Sequence, residues 1–201
     1  MGRPKEHDEA TRERLLQAAE RLSATKGWDA VTVRAVAEEA ATSTRAVYAL
    51  FGSKEGLEQA LHEAMFTRLR DLERAREPHA DPRADLFELA LAYRRWAVER
   101  PERYALAMHR FVGRHARSRS EEGMAVSREA LAELVDVVDR CHAAGMIAGD
   151  PADAVIQLRA VVHGLAEFEN LGLLGPEPER HWRAAISAVL DGYVGRPAAA
   201  A

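Results

Sequence analysis

Thr42, Ser43, Thr44 and Arg45 form a short run of hydroxyl side chains that ends in a guanidinium, a combination suited to contacting DNA. The hydroxyl-bearing residues are small enough to allow close approach to bases and phosphates. A guanidinium in the first turn of a helix can donate to O6 and N7 of a guanine in the major groove. Because contacts to base edges specify sequence, we expect this run to read DNA.

Tyr48 and Lys54 follow this run at positions suited to phosphate contacts on either side of it. A phenolic hydroxyl and an ammonium group both donate to phosphate oxygens. Such contacts position a protein on a duplex without reading its sequence. Two other interpretations stay open, because Tyr48 can simply pack against the protein and Lys54 can be a solvated charge.

The sequence contains no arrangement of residues that predicts catalysis or a metal site. It lacks a nucleophile–base motif and a phosphate-binding loop. Cys141 is the single cysteine, which excludes an internal disulfide and a cysteine-based zinc site. His163 and Glu167 have metal-ligand spacing on a helix but no evident third ligand. We expect no catalytic residue, no metal and no cofactor, and a helical enzyme is the alternative with least support.

The composition is that of a globular protein, with 47% of the 201 residues hydrophobic and 30% charged. No apolar run approaches the roughly 20 residues needed to span a bilayer, and the polar first residues lack a secretory signal. We expect a cytoplasmic protein with no membrane partner. The net charge is -4, yet residues 1–54 hold nine Lys/Arg against eight Asp/Glu. A weakly basic segment on an acidic body fits a DNA-contacting module.

The elements that must position these residues are helices throughout. No alternating β-branched run reaches five residues, and no Asn-Gly or Asp-Gly hairpin turn occurs. Apolar periodicity predicts an all-α fold of about nine helices, in which a three-helix N-terminal domain precedes a larger helical domain. We place the first at residues 1–54 and the second at 55–201, with a long connecting helix over 53–76 that leads into a polar, proline-containing break.

The N-terminal domain has the pattern of a helix-turn-helix. Asp8 and Gly27 are predicted to mark the ends of its first helix. Thr32 and Ser43 are predicted N-caps of two short helices, which leaves a turn of about three residues between them. Helices joined so tightly cross at a steep angle, and in DNA-binding proteins the second enters the major groove. The side chains left outside include Arg34 and the polar run described above.

The segment "TRERLLQAAERLSATKGWDAVTVRAVAEEAATSTRAVYALFGSKEGL" resembles the N-terminal domain of the tetracycline-repressor (TetR) family of bacterial transcription regulators. The matching parts are the second helix, "TVRAVAEEA", and the ending "VYALFGSKEGL" with its Tyr-x-x-Phe-x-Ser-Lys cluster. The resemblance implies that Thr32 and Tyr48 contact phosphates and that Lys54 starts the fourth helix. It also places residues 42–45 in recognition-helix positions.

Two residues depart from the family pattern. Ala41 occupies a turn position that often holds glycine, and alanine in a left-handed backbone conformation is costly, so we expect the turn to be wound slightly differently. Arg45 occupies a recognition-helix position that often holds a small glycine. We therefore expect an operator preference of this protein's own, with a guanine in the site.

The resemblance also implies that the larger helical domain dimerises and often holds an effector pocket. Residues 151–194 are predicted to form two long helices with dense apolar faces, and two copies would close a four-helix bundle. The alternative is that these faces cover the monomer's own core. The candidate interface residues are Leu158, Val162, Leu165, Trp182, Ile186, Val189, Leu190 and Tyr193.

A candidate effector pocket is suggested by aromatic and methionine side chains near a few polar groups, which is how small-molecule cavities are lined. A stripe at this helical spacing is also typical of a core. The candidate lining residues are Tyr93, Trp96, Tyr104, Met108, Phe111, His163 and Glu167.

These observations predict a homodimeric, ligand-responsive transcription regulator, most often a repressor. Its partners would be a palindromic double-stranded DNA operator, a second copy of itself and a small apolar or aromatic effector. The alternative is the same DNA-binding dimer without a small-molecule effector, controlled by a protein partner or by its abundance.

Overall fold

The computed structural model describes residues 5–112 and 121–193. Side chains are described throughout these ranges except at positions 5–7, 106, 107, 109–112, 121–127 and 130. Within the described residues there are nine α-helices, one short 3₁₀ turn and no strand, which confirms the expected all-α fold. The helices are α1 (Lys5–Lys26), α2 (Val33–Glu39), α3 (Thr44–Phe51), α4 (Lys54–Arg74), α5 (Pro82–Glu99), α6 (Pro101–Val112), α7 (Glu121–Ala143), α8 (Pro151–Asn170) and α9 (Pro178–Asp191).

Helix boundaries follow local capping chemistry. Thr32 accepts a hydrogen bond from the Ala35 amide (3.2 Å) and Ser43 accepts one from the Ala46 amide (3.2 Å), as their predicted N-cap roles require. The first helix begins at Lys5, three residues before the expected Asp8. The connecting helix α4 covers 54–74 rather than 53–76.

Two compact units are present. One comprises Met1–Thr67 with Glu102–Val126, and the other comprises Arg68–Pro101 with Ser127–Ala201. The first unit therefore contains the helix-turn-helix and is called the head unit below; the second is called the larger unit. Helix α6 groups with the head unit, although we expected residues 55–201 to form a single domain.

The core of the head unit lies between α1, α2 and α3. Leu15, Leu22, Val36 and Val47 are all buried, because apolar residues at helical spacing on each element face a common centre. This packing holds α2 and α3 in place and leaves the opposite face of α3 to solvent.

The core of the larger unit is formed by α5, α7, α8 and α9, and it encloses Leu86, Val138, Cys141, Ile186 and Leu190 among others. A buried ion cluster lies beside it. Asp85 accepts hydrogen bonds from Arg76 and Arg140, and Arg140 also donates to the carbonyl of His79 (2.6 Å). Burial disfavours the charged carboxylate, but the two guanidinium hydrogen bonds outweigh it, so the pKa of Asp85 is lowered.

Candidate nucleic-acid interface

The turn between α2 and α3 is closed by backbone hydrogen bonds and a left-handed residue. Ala41 has a φ of 51°, the one positive φ of a non-glycine residue in the described chain. The Thr42 amide donates to the Ala37 carbonyl (2.9 Å), and the Ala41 amide donates to the Glu38 carbonyl (3.1 Å). The turn is therefore not wound differently around Ala41, which keeps the left-handed conformation although a Cβ in this conformation is costly.

The polar run lies on the outward side of α3. Val47 is fully buried on the inner face of α3, whereas Ser43, Thr44 and Arg45 are exposed. The Tyr48 side chain is 53% exposed, so it is not a packing residue of the head core. Thr42 lies half-buried in the turn. These five side chains lie along one short helix and its N-terminal turn, as the sequence predicts.

The charged and hydroxyl groups at this surface differ in their availability. Among the described side chains, none forms a hydrogen bond or an ion pair with the Arg45 guanidinium. Ser43 and Thr32 use their oxygens to cap helices, which leaves each hydroxyl proton able to donate to a phosphate. Arg34, in contrast, pairs with Glu38 at 2.9 Å on the exposed face of α2.

Lys54 is the first residue of α4 and lies next to the end of α3 because the junction is unusually tight. Ser53 caps α4 by accepting from the Gly56 amide (3.1 Å). A Cβ placed on Gly56 would lie 1.9 Å from the Phe51 carbonyl oxygen, so only glycine fits there. The Lys54 ammonium lies 3.6 Å from the carboxylate of Glu58, a buried residue one turn further on. Sequence reasoning did not single out Gly56 or Glu58.

In the larger unit, three of the candidate pocket residues come together. The Tyr93 hydroxyl lies 2.8 Å from Nδ1 of His163, and their rings meet edge to face with centroids 5.4 Å apart. The Trp96 ring lies 5.4 Å from that of Tyr93. Trp182, which we had assigned to the dimer interface, also joins this cluster, with its ring centroid 6.4 Å from that of Tyr93.

His163 is neutral at pH 7. Burial lowers its pKa to about 4, and the nearby positive charge of Arg159 adds to the effect. The His163 imidazole therefore binds a proton more readily in the unfolded chain than in the folded one. As a result, the stability of the folded protein decreases as the pH falls from 6.5 towards 4. At neutral pH the Tyr93–His163 contact is a hydrogen bond between uncharged groups.

The other candidate pocket residues do not join this cluster. Tyr104 is buried and Met108 half-buried, both in the head unit, and the Phe111 side chain lies outside the described residues. Glu167 is exposed. Glu169, which sequence reasoning missed, lies inside instead: it accepts a bidentate pair of hydrogen bonds from Arg94 and a further one from the indole N–H of Trp182 (2.8 Å).

The candidate dimer residues need a correction. Five of the eight are buried within their own chain, namely Leu158, Trp182, Ile186, Leu190 and Tyr193. A side chain already covered by its own chain has no area left for a partner, so the alternative stated above, the monomer's own core, applies to them. Val162, Leu165 and Val189 are half-buried.

The outward face of α8 carries large apolar side chains that are open to solvent. Ile156 is 63% exposed and Phe168 is 53% exposed. Ala160 and Gly164 lie between them at intervals of four residues and are also exposed. This face is a narrow stripe of apolar and small residues, and its neighbour α9 adds the exposed Ala184 and Ala188.

The described residues contain neither a metal-binding cluster nor a membrane-spanning helix. No group of three or more His, Cys, Asp or Glu side chains in this part of the chain is arranged to hold a metal ion. None of the helices described here is long and apolar enough to cross a membrane.

Two protein-family models match the chain. The model described as "Bacterial regulatory proteins, tetR family" matches residues 15–61. The model described as "Tetracyclin repressor-like, C-terminal domain" matches residues 86–189, which is about half of the chain. The first match covers the helix-turn-helix, and the second covers most of α5 to α9.

Several solved structures share the fold. A protein of unknown function from Rhodococcus sp. RHA1 is 29% identical over 92% of this chain and 95% of its own, with a TM-score of 0.79. The TetR family transcriptional regulator PfmR from Thermus thermophilus is 22% identical over 92% and 100% of the two chains, with a TM-score of 0.69. The fatty acid degradation regulator FadR from Bacillus halodurans is 16% identical over 90% and 98%, with a TM-score of 0.73. No curated protein sequence matches the chain.

Proposed function

The chain belongs to the TetR family of bacterial transcription regulators, and on this premise we propose that it is a homodimeric repressor that a small-molecule effector releases from a palindromic operator. The observation that carries the proposal is the outward face of α3, where an exposed arginine and three hydroxyl residues lie together opposite the buried Val47. A regulator of this kind acts on chromosomal DNA, in the bacterial cytoplasm.

We assign the DNA contacts by chemistry and exposure. Arg45 reads a guanine, because its guanidinium is exposed at the N-terminal turn of α3, the part of a recognition helix that reaches base edges. Thr42, Ser43 and Thr44 approach bases and phosphates beside it. The phosphate contacts on either side come from Thr32, Tyr48 and Lys54, with Arg34 as a further cation on α2.

The dimer forms through the open faces of α8 and α9. An exposed stripe on α8 is formed by Ile156, Ala160, Gly164 and Phe168, and Ala184 is exposed on α9, which packs against α8. Two copies of such a helix pair close a four-helix bundle, and the small residues allow the helices to approach closely. A two-fold axis would place the two recognition helices in successive major grooves roughly 34–36 Å apart, which is why the operator is a palindrome.

The effector is a small apolar or aromatic molecule bound in the larger helical domain. Tyr93, Trp96 and His163 support this assignment, because an aromatic setting with few and uncharged polar groups suits such a ligand. Tyr104, Met108, Phe111 and Glu167 are not part of this assignment, because Tyr104 and Met108 belong to the head unit, Glu167 is exposed and the Phe111 side chain lies outside the described residues. Effector binding would shift α4, which is continuous from Lys54 to Arg74, and move the heads out of register.

A regulator without a small-molecule effector is the second candidate. The observation in its favour is that the Tyr93 hydroxyl and the His163 ring already satisfy one another at 2.8 Å, as a core pair would. A protein partner or the abundance of the regulator would then set its occupancy. A thermal-shift screen separates the two, because stabilisation by some apolar or aromatic compound favours an effector and stabilisation by none favours this candidate.

The DNA-binding proposal is tested by selection from random duplexes. We would incubate the purified protein with a library of about 30 base pairs, long enough for two half-sites one helical turn apart. The expected result is enrichment of a palindrome that contains guanine. The Arg45→Ala variant should lose about 1–3 kcal/mol at one position in each half-site and relax specificity there. Enrichment of no motif would contradict the proposal, and an equal loss on all sequences would remove Arg45 from base reading.

A further inference from the structure

We propose that Arg12, on α1, is an additional phosphate-binding residue of the DNA surface, positioned by the aromatic ring of Phe51. This inference rests on the proposed DNA-binding function and extends its surface to a helix that the recognition motif does not include. Nothing in the local sequence around Arg12 distinguishes it from the other charged residues of α1.

The geometry places the Arg12 guanidinium at the end of the recognition helix. Its Cζ lies 5.7 Å from the centroid of the Phe51 ring. Phe51 is the last residue of α3 and lies three residues before Lys54, a proposed phosphate contact. A guanidinium is planar and carries five N–H donors, so stacking on a ring leaves the edge of the group free to bind phosphate oxygens.

The charge environment of Arg12 differs from that of Arg21 and Arg34 in the same unit, and resembles that of Arg45. Arg21 is paired with Glu39 at 3.0 Å and Arg34 with Glu38 at 2.9 Å, so a neighbouring carboxylate already neutralises each of them. Among the described side chains, no carboxylate pairs with Arg12. A cation without a carboxylate partner, on a surface that meets a polyanion, contributes directly to counterion release.

The stack also lowers the entropy that binding would cost. A free arginine side chain loses rotamer entropy when it is fixed in one geometry, and a planar fork that is already held loses less for each hydrogen bond formed. Phe51 is half-buried, and its backbone lies at the tight α3–α4 junction. Arg12 therefore offers a phosphate contact that is largely preorganised.

Lys26 provides a matched control on the same helix. It lies in the last turn of α1, about 21 Å along the helix axis from Arg12, since each residue of a helix advances about 1.5 Å. Like Arg12, it has no carboxylate partner among the described side chains, and it is exposed whereas Arg12 is half-buried. Removing either charge changes the net charge of the head by the same amount, but only Arg12 lies at the recognition helix.

The test uses a fluorescein-labelled duplex of arbitrary sequence, about 30 base pairs long, and fluorescence anisotropy from about 0.05 to 0.2 M NaCl. Arg12→Gln should flatten the plot of log K against log[salt] by about 0.9 per head and weaken binding about fivefold to tenfold at 0.1 M salt. Lys26→Gln should leave the slope unchanged. Circular dichroism melts of both variants should match that of the wild type, since neither change breaks an ion pair with a described side chain or opens a buried core position.

A double-mutant cycle tests the role of the ring. Phe51→Leu should weaken binding when Arg12 is present and change nothing further in the Arg12→Gln background. Additive losses would overturn the positioning by Phe51. An Arg12→Gln slope equal to that of the wild type, or a Lys26→Gln slope that falls as far, would overturn the phosphate contact while leaving DNA binding intact. Failure of the wild-type protein to bind any duplex would instead overturn the proposed function, and this contact with it.

Discussion

Gly56 passes so close to Phe51 that a Cβ on the glycine would lie 1.9 Å from the Phe51 carbonyl oxygen. Real Cβ atoms do not approach an oxygen so closely, so any other residue would push α3 and α4 apart. The same junction carries the phosphate candidate Lys54 and the ring that holds Arg12. Among the described glycines, Gly56 makes the closest approach to another backbone segment. This approach therefore sets the positions of the proposed DNA contacts Lys54 and Arg12.

Gly56→Ala should destabilise the head and weaken DNA binding. Alanine is normally the better helix former by about 1 kcal/mol, but the clash with a backbone oxygen reverses the sign, and we expect a loss of about 1–3 kcal/mol. Urea unfolding and anisotropy on the labelled duplex measure the two effects. A variant as stable as the wild type would show that the junction relaxes without cost.

Ala41→Gly should stabilise the protein by about 1 kcal/mol, because glycine adopts the left-handed conformation without the steric cost that alanine bears. The φ of 51° at Ala41 is the reason for this expectation. Ala40→Gly is the matched control: Ala40 is nearly buried with a φ of -84°, so glycine there should destabilise. If chemical denaturation shows that both substitutions change stability in the same direction, relief of strain at Ala41 does not explain the effect of Ala41→Gly.

Glu38→Gln should strengthen non-specific DNA binding. The change releases Arg34 from its 2.9 Å ion pair on the exposed face of α2. One additional phosphate contact per head steepens the salt dependence by about 0.9 and raises affinity about fivefold to tenfold at 0.1 M salt. Asp29→Asn, which removes an exposed negative charge of the head unit, controls for net charge. Equal effects of the two variants would assign the gain to charge alone.

Ala160→Arg should separate the dimer and leave the monomer folded. Ala160 is exposed in the apolar stripe of α8, so an arginine there is solvated in the monomer but lies between the helices of the dimer. Sedimentation velocity should show a lower mass, with the circular dichroism melt of a folded chain. Ala132→Arg makes the same change at an exposed site of α7 and should leave the dimer intact. An intact Ala160→Arg dimer would place the interface elsewhere.

A charged substitution at Leu190, one of the interface candidates from the sequence, would not test dimerisation. Leu190 is 1% exposed, in the core of the larger unit, so a charged residue at this position unfolds that core whether or not a partner exists. The small exposed residues of α8 are the better sites for substitution.

Glu73→Gln should raise stability relative to the wild type, and this gain should be larger at alkaline pH than at acidic pH. Burial raises the pKa of Glu73 to about 8, the nearby Glu133 raises it further, and Arg76 opposes the shift. The folded state therefore holds a proton that the unfolded carboxyl releases near pH 4.5, and wild-type stability falls as the pH rises from 4.5 to 8. Glutamine is neutral throughout, so the gain in melting temperature should grow across that range. A constant difference would show that Glu73 is charged in the fold.

Sequence reasoning succeeded where one residue determines the local structure. Thr32 and Ser43 were predicted as N-caps because a hydroxyl before a helix can accept from an amide three residues later, and both do so. These caps depend on a few consecutive residues, so the structure confirms them closely. The turn at Ala41 was predicted less well, because we expected alanine to wind it differently, and it keeps a left-handed φ of 51°.

The interactions that sequence reasoning missed join residues far apart in the chain. Glu169 pairs with Arg94, which lies 75 positions earlier in the chain. No local pattern distinguishes Glu169 from the exposed Glu167 two residues before it. Apolar periodicity shows which face of a helix avoids water, but not whether its own chain or a partner covers that face. Trp182 and Leu190 were therefore assigned to an interface although they complete the core of the larger unit.

Cys141 gives this core a chemical reporter of its own. The chain has one sulfhydryl, fully buried in the core of the larger unit, and burial raises the pKa of that thiol. An alkylating reagent requires the exposed thiolate, so it modifies the protein only when the surrounding helices separate. The rate of labelling by such a reagent therefore measures how often the larger unit opens. Compounds that hold its helices together should slow that rate. The measurement needs no engineered label, because the native cysteine serves as one.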